Sequence, residues 1–382
     1  MNAPAEIIRR EIAEHGVLPF ARFMELALYC PDSGYYEMKK DSPGRRGDFY
    51  TSVSAGDLFG QLLAFQFAGW LDEIRSLGPQ PSTLNIVEAG AHDGTLARDI
   101  LTWLQSARSE LFGRIEYNIV EPSLRRQAWQ KDTLKHFAPR VRWLSRFNNS
   151  TSQRFNGVIF SNELLDAMPV HRFGWDAKNK TWFEWGVALA GEKFVWAKIR
   201  TPDARPRMPA PTLCEVLPDG YTIETCPDAE NWWRVAANIL EHGRLLTIDY
   251  GLTDDELFSP GRTHGTLRAY FRHHATDDLL ANVGKQDLTA HVNFSTIQSI
   301  GEACGLETES FSTQAQFLTR IVEKASKDKK FGRLAASNRL VSPKSGGGGS
   351  EDGWGAKQAR QFQTLTHPEH LGRAFRVLIQ SG

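Results

Sequence analysis

Four cysteines in 382 residues (Cys30, Cys214, Cys226 and Cys304) stand far apart, and no C-x-x-C pair occurs. Such spacing gives neither a zinc site nor a disulfide framework, and it points to a reducing compartment. An excess of either charge is also missing. The 45 Lys and Arg balance 45 Asp and Glu, which sets aside a dedicated nucleic-acid binder with its basic stripe. The amino terminus, Met1-Asn2-Ala3-Pro4-Ala5-Glu6, shows no basic stretch followed by an apolar one, and no apolar run reaches membrane-spanning length. A cytoplasmic protein without membrane insertion is the expectation. At 41% hydrophobic and 24% charged residues, the composition is that of an ordinary soluble protein, long enough for two or three domains.

A further absence lies in the most informative stretch, residues 84–96. There an apolar run ends in Glu88-Ala89-Gly90, a second glycine follows at Gly94, and a helical pattern begins near Thr95. A dinucleotide-binding loop needs G-x-G-x-x-G, but this loop has His92 where its middle glycine would stand. A phosphate-cradling P-loop needs a lysine after its last glycine, and none follows Gly94. The remaining nucleotide-like cofactor is S-adenosylmethionine, whose carboxylate and ammonium could meet the loop backbone or Glu88. The plainer alternative is a tight strand–helix turn.

Strands and helices alternate from residue 84, and such alternation calls for a parallel sheet with right-handed crossovers. Residues 84–89, 115–121, 141–144, 157–161 and 244–250 read as its strands, and 374–379 as a final strand completing the sheet edge. Two short helices (7–14 and 20–28) and a long one (58–77) come first. Three antiparallel strands (170–175, 181–188 and 193–199) interrupt the alternation, and a proline-rich linker follows at 201–211. Residues 251–286 read as a long loop, and 345–350 as a Gly/Ser spacer. The chain thus divides into a helical extension with a cofactor-covering loop (1–83), a cofactor-binding half (84–169), a β insert with linker (170–230) and the second half of the sheet (231–382).

Further acids fall at strand ends. Glu121 closes the second strand, where such folds grip a ribose diol, although an acid there could simply cap the next helix. Asn162-Glu163 ends a strand that is apolar on both faces, and Asp166 opens the next turn. A glutamate at that point could hold a cationic nucleophile in line with a methyl donor. His273, His274 and His291 lack a matching carboxylate or thiolate spacing, so no metal is expected. Arg268 and Tyr270 suit either a substrate or a surface loop. The tryptophans Trp182, Trp185, Trp196, Trp232 and Trp233 suit a packed second layer better than a recognition surface.

Several motifs occur in a fixed order: Gly34-Tyr35-Tyr36, Gly47-Asp48-Phe49-Tyr50-Thr51-Ser52, Asn162-Glu163-Leu164-Leu165-Asp166-Ala167-Met168-Pro169, Ile248-Asp249-Tyr250-Gly251, Gly265-Thr266-Leu267-Arg268-Ala269-Tyr270 and Asp287-Leu288-Thr289-Ala290-His291-Val292-Asn293-Phe294. The series resembles the MidA family of class I S-adenosylmethionine-dependent methyltransferases, whose mitochondrial members are complex I assembly factors that methylate a protein arginine. The resemblance runs from about residue 6 to the carboxyl terminus. It implies an α/β fold with a Rossmann-like seven-stranded sheet, an N-terminal helical extension and an antiparallel β insert. It places Gly90, Gly94, Glu121 and Asn162 around the cofactor, beside Glu88 and His92. It also folds the loop bearing Asp48, Thr51 and Ser52 over the cofactor, and turns Glu163 toward the acceptor with Asn162 and Asp166 beside it. The implied partner is a protein substrate, with a respiratory-complex subunit among the candidates. His92 and Val53-Ser54-Ala55 depart from the family pattern. A non-catalytic assembly chaperone and a small-molecule methyltransferase remain as alternatives.

Overall fold

Seven strands lie in line in the central sheet of the computed structural model, which describes residues 3–38, 51–76, 83–147, 154–199, 214, 216–272, 274–328, 355–369 and 371–382. In chain order they are β1 (Leu84–Ala89), β2 (Ile115–Val120), β3 (Val141–Leu144), β4 (Phe155–Asn162), β5 (Leu240–Leu252), β6 (Glu307–Thr313) and β7 (Phe375–Ser381). Their order across the sheet is β6-β7-β5-β4-β1-β2-β3, and the two-residue strand Val292–Asn293 also pairs with β5. Only β7 runs against its neighbours. The chain moves outward from β1 through β2 to β3, then returns to add β4 on the other side of β1. That reversal opens a crevice beyond the carboxyl ends of β1 and β4, where ligands bind in such sheets.

Both faces of the sheet are covered. Leu84 and Ile86 of β1 pack under the helices Leu58–Ser76, Thr95–Ala107 and Gln314–Ala325, while Val87 and Ala89 face Pro227–Ile239 and Phe294–Ala303. Burial on both faces is why β1 reads as a continuous apolar run rather than an alternating one.

The insert strands His171–Asp176, Thr181–Ala190 and Lys193–Ile199 form a separate sheet, which Thr222–Thr225 and Leu18–Pro19 extend. Leu18–Pro19 leads into the helix Phe20–Tyr29, whose Phe20, Phe23 and Leu28 share a core with Val170, Val187 and Leu288. The amino-terminal segment and the insert are thereby packed as one body beside the crevice. Trp175 packs on Trp182, Trp185 on Phe183 and Trp196, and Trp196 on Phe20 and the Arg172 guanidinium.

Two expectations need correction. The last strand, β7, does not complete the edge: it lies between β5 and β6, and β6 is the edge. A strand's local pattern records its burial, not its place in the sheet order. Residues 251–286 hold a helix, Asp254–Leu257, and the strands Arg268–Phe271 and His274–Thr276, which form an antiparallel ladder with Asp287–Thr289. Their strands have three or four residues, too short for a period of two to stand out. The proline-rich linker, the Gly/Ser spacer, Asp48 and His273 lie outside the described residues.

Candidate active site

The loop after β1 alternates into left-handed backbone at Gly90 (φ 75°), His92 (φ 46°) and Gly94 (φ 83°). A Cβ at Gly90 would come 2.8 Å from Leu164 Cδ1, so that glycine is required twice over. His92 adopts the conformation a middle glycine would take, and histidine is among the residues that tolerate it. Its imidazole stays partly exposed, 3.9 Å from the Asp93 carboxylate, and its carbonyl accepts from Gln130 Nε2 at 3.0 Å. Gly94 caps the helix Thr95–Ala107, whose Thr95 N–H donates to Asp93 Oδ1 at 2.9 Å.

Two acids sit beneath and beside this loop. Glu88 is buried on the face of Leu84 and Ile86. Burial pushes its pKa up to about 8, and the Tyr117 hydroxyl donates to it at 2.6 Å. Glu121 is 1% exposed, and burial raises its pKa too. Its carboxylate accepts from Ser123 N–H (2.9 Å) and Gln130 Nε2 (3.2 Å), and it pairs with Arg126 Nη2 at 3.0 Å. Gln130 joins the loop, Glu121 and Trp143 Nε1 in one network. The sequence did not single it out, because one glutamine on a polar helix carries no local signal.

Across the crevice, β4 ends in Asn162 and Glu163. Glu163 has φ 52°, a conformation that costs a side chain of this size about 1 kcal/mol or more and aims it away from the strand path. Its Oε1 accepts from Asn162 Nδ2 (3.1 Å) and from Ser52 N–H (3.2 Å), and withdrawal from water pushes its pKa up to about 8. Asn162 Oδ1 is buried and has no hydrogen-bond partner. Ser52 is fully buried, with its hydroxyl bonded to Gln314 at 3.0 Å, and Thr51 exchanges bonds with Ser54. Ser52, distant in sequence, thereby meets Glu163 directly.

Asp166 lies behind Glu163 and hydrogen-bonds to Asp249 at the end of β5. Asp249 is fully buried and accepts from the N–H groups of Leu164 (3.1 Å), Leu165 (2.8 Å) and Tyr250 (2.9 Å). Burial raises the pKa of both acids, so the pair holds a proton between them. Asp287 adds a third carboxylate near Asp166 and accepts from the Tyr36 hydroxyl at 2.7 Å. Tyr29 stacks on Tyr36 and donates to the Ala167 carbonyl at 2.9 Å. Asp249, Asp287, Tyr29 and Tyr36 were not singled out as site residues, though three of them stand inside the ordered motifs. Arg268 is exposed on its short ladder. His291 lines a cavity with Leu165, Glu224 and Cys226. Burial and two arginines hold its pKa down at about 4.

A family model described as S-adenosyl-L-methionine-dependent methyltransferase matches residues 62–312. A Drosophila melanogaster protein named protein arginine methyltransferase NDUFAF7 homolog, mitochondrial, is 28% identical across 98% of this chain and 84% of its own length. The human protein arginine methyltransferase NDUFAF7, mitochondrial, is 29% identical across 76% of this chain and 67% of its own. A solved Burkholderia thailandensis protein bound to S-adenosyl-homocysteine covers all of this chain and 92% of that one, with a TM-score of 0.80 and 33% identity. These relatives also overturn the cytoplasmic expectation. Those named as arginine methyltransferases are mitochondrial, which points to mitochondria, and neither cysteine spacing nor the first residues encode a compartment. With a model match over most of its length and a solved relative aligned end to end, the chain belongs to the S-adenosyl-L-methionine-dependent methyltransferases, with that compound as cofactor.

Proposed function

We propose that this methyltransferase modifies an arginine side chain of a protein partner. The observation that carries the reading is the set of buried carboxylates at the acceptor side, Glu163, Asp166, Asp249 and Asp287, with Tyr29 and Tyr36 beside them. Buried acids, with the pKa values of Glu163, Asp166 and Asp249 raised by burial, suit a ligand that brings its own positive charge and planar N–H donors. The relatives named as protein arginine methyltransferases support the same acceptor. The resemblance of this chain to a family whose mitochondrial members are complex I assembly factors makes a respiratory-complex subunit the first acceptor to try.

The crevice fits the cofactor on its own chemistry. Asn162 Oδ1 is a buried acceptor without a donor, suited to the ammonium of the methionine half. Glu121 is the ribose acceptor in this reading, and Gly90 to Gly94 supply close backbone approach. Ser52 and Thr51 close the site from above, and Glu88 supports the loop from beneath. His92 keeps the left-handed turn, so it does not favour the non-catalytic alternative. When bound, the cofactor supplies an already electrophilic methyl group, which leaves the protein the tasks of orientation and proton handling.

Glu163 does that handling. It is protonated at pH 7 and must ionise when a guanidinium, with a reference pKa of about 12.5 or more, docks beside it. The carboxylate then holds charge on the nitrogens that are not attacked, and takes the proton that the methylated nitrogen sheds. Asn162 Nδ2 and Ser52 N–H hold its Oε1 in place.

Mass spectrometry of the host proteome with and without this gene tests the acceptor. A methylarginine peptide that disappears supports the reading, whereas an unchanged methylarginine inventory overturns it. Glu163→Ala tests the role: undiminished methyl transfer by that variant would remove Glu163 from the mechanism.

A further inference from the structure

Gln314 ties the residue that meets Glu163 to a helix near the carboxyl terminus. It opens the helix Gln314–Ala325 directly after β6, and it is fully buried. β6 runs parallel to β5 and β4, so its end lies at the same edge of the sheet as the crevice. Gln314 Nε2 donates to the Leu365 carbonyl at 3.0 Å, and Gln314 Oε1 accepts from the Ser52 hydroxyl at 3.0 Å. Leu365 stands in the last turn of the helix Ala356–Thr366, where carbonyls lack a partner within the helix. A second tie joins the same two elements. Asp57 Oδ1 accepts from Gln361 Nε2 and from Lys357 Nζ, each at 3.2 Å. Gly56 has φ 129°, and a Cβ there would collide with Gln361 Nε2, so backbone packs directly on the helix.

These bonds can run in one direction only. A backbone carbonyl accepts and never donates, so the amide turns Nε2 toward Leu365 and Oε1 toward Ser52. Oε1 in turn obliges the Ser52 hydroxyl to donate. Its single proton is then committed to Gln314, and Ser52 reaches Glu163 through its backbone N–H, at 3.2 Å. Asn162 Nδ2 donates to the same Glu163 oxygen, Oε1, at 3.1 Å. A protonated carboxyl that accepts two N–H groups on one oxygen carries its proton on the other.

We infer that Gln314 is a positioning residue for methyl transfer: by anchoring Ser52 to the helix Ala356–Thr366, it keeps the Ser52 N–H on Glu163 Oε1 and leaves Oε2 as the oxygen that handles the proton. Oε2 gives up its proton to solvent when the guanidinium docks. It takes up the one that the methylated nitrogen sheds, so the carboxyl ends as it began. The titratable groups that face Glu163 among the described residues are Asp249, Asp166 and Tyr250. None of them touches Gln314 through a hydrogen bond, so a change at Gln314 reaches Glu163 by way of Ser52.

The role of Gln314 rests on Glu163 as the proton-handling group, and the two fail differently. Carbon-13 NMR of the full chain, labelled at the glutamate δ-carboxyl carbons, follows the titration directly and needs no acceptor. The resonance that disappears in Glu163→Gln belongs to Glu163, and in wild type its midpoint should lie near pH 8. Gln314→Met keeps the length of the side chain and removes both of its bonds. Ser52→Ala removes one oxygen and keeps the N–H, and it carries the test if Gln314→Met does not fold. Each variant should raise the midpoint by about half a pH unit, because the N–H that favours the carboxylate is loosened rather than lost. The double variant should move it no further than either single one, since both cut the same chain of bonds. A midpoint that stays at its wild-type value in the single variants, whatever happens to their unfolding temperatures, would reduce Gln314 to a structural part and overturn its role. Shifts that add in the double variant would overturn it as well. If Glu163→Gln removes no resonance that titrates near pH 8, the reading of Glu163 itself falls.

Discussion

At the tip of β1 the residues facing the crevice come from one continuous stretch, 90–95, with Glu121 one strand away. At the tip of β4 they come from five separate segments: Ser52, Asn162 to Asp166, Asp249, Asp287, and the Tyr29–Tyr36 pair. The chemistry differs as much as the origin. On the first side each acid has a conventional partner, Tyr117 for Glu88 and Arg126 for Glu121. On the second, Asp249 is held by backbone N–H groups, Asp166 by Asp249, and Glu163 by an amide and a backbone N–H. Both sides hold acids with raised pKa values, but on the first Glu88 is bonded to a side-chain hydroxyl behind the loop, whereas on the second the acids lean on one another and on backbone N–H groups. The contrast suits a constant cofactor and a specific acceptor.

The largest effect should follow from removing the group on which the acceptor side is built. Asp249→Ala strands the N–H groups of Leu164 and Leu165 in a buried site, at a cost of about 3 kcal/mol or more. Thermal unfolding should show that loss, and methyl transfer should vanish with it. Asp249→Asn keeps one acceptor oxygen and should lose less than half as much. Equal losses in the two variants would mean that charge, not backbone anchoring, is what Asp249 contributes.

A smaller effect separates the two sides by pH. Glu163 is protonated below about 8, so a guanidinium peptide must expel one proton to bind. Its affinity should rise about tenfold per pH unit up to that point and then level off. The rise should disappear in Glu163→Gln, and calorimetry in buffers of different ionisation enthalpy should show one proton released per peptide in wild type. Stability runs the other way. Glu88 and Glu163 have folded pKa values of about 8, raised above the ordinary value of 4.5. Between those values the folded state keeps protons that the unfolded state has shed, so this contribution is full below about pH 4.5 and is lost as pH rises through 8. An affinity that stays flat from pH 6 to 9 would break the comparison at Glu163.

The same contrast explains what could be read from the sequence. The turn after β1 was legible because its residues are contiguous and their spacing follows from a strand breaking into a helix. Glu163 and Asp166 were legible as acids at a strand end. Asp249, Asp287 and the two tyrosines meet only after the sheet order and the amino-terminal packing are set, and no local pattern encodes that meeting. Position in the sheet was hidden for a similar reason: β7 looks like an edge strand because it comes last, yet it pairs on both sides. The three-stranded ladder within 251–289 was missed because its strands are too short to show a period.

The smallest expected effect sharpens the cofactor side. His92→Gly would relieve a side chain held at φ 46°, a strain of about 1 kcal/mol. It would also add backbone freedom to the unfolded chain, worth about 0.5–1 kcal/mol in the opposite sense. The two terms nearly cancel, so the unfolding temperature should hardly move. The ligand-side argument is independent: the His92 carbonyl, not its imidazole, meets Gln130, and the carbonyl survives the substitution. Affinity for S-adenosylhomocysteine should therefore stay within about threefold of wild type, below the 1.4 kcal/mol that a tenfold change requires. A loss beyond tenfold would mean that the imidazole, with Asp93 beside it, is a working contact. The cofactor side would then depend on a side chain chosen for its chemistry, as the acceptor side does at Glu163.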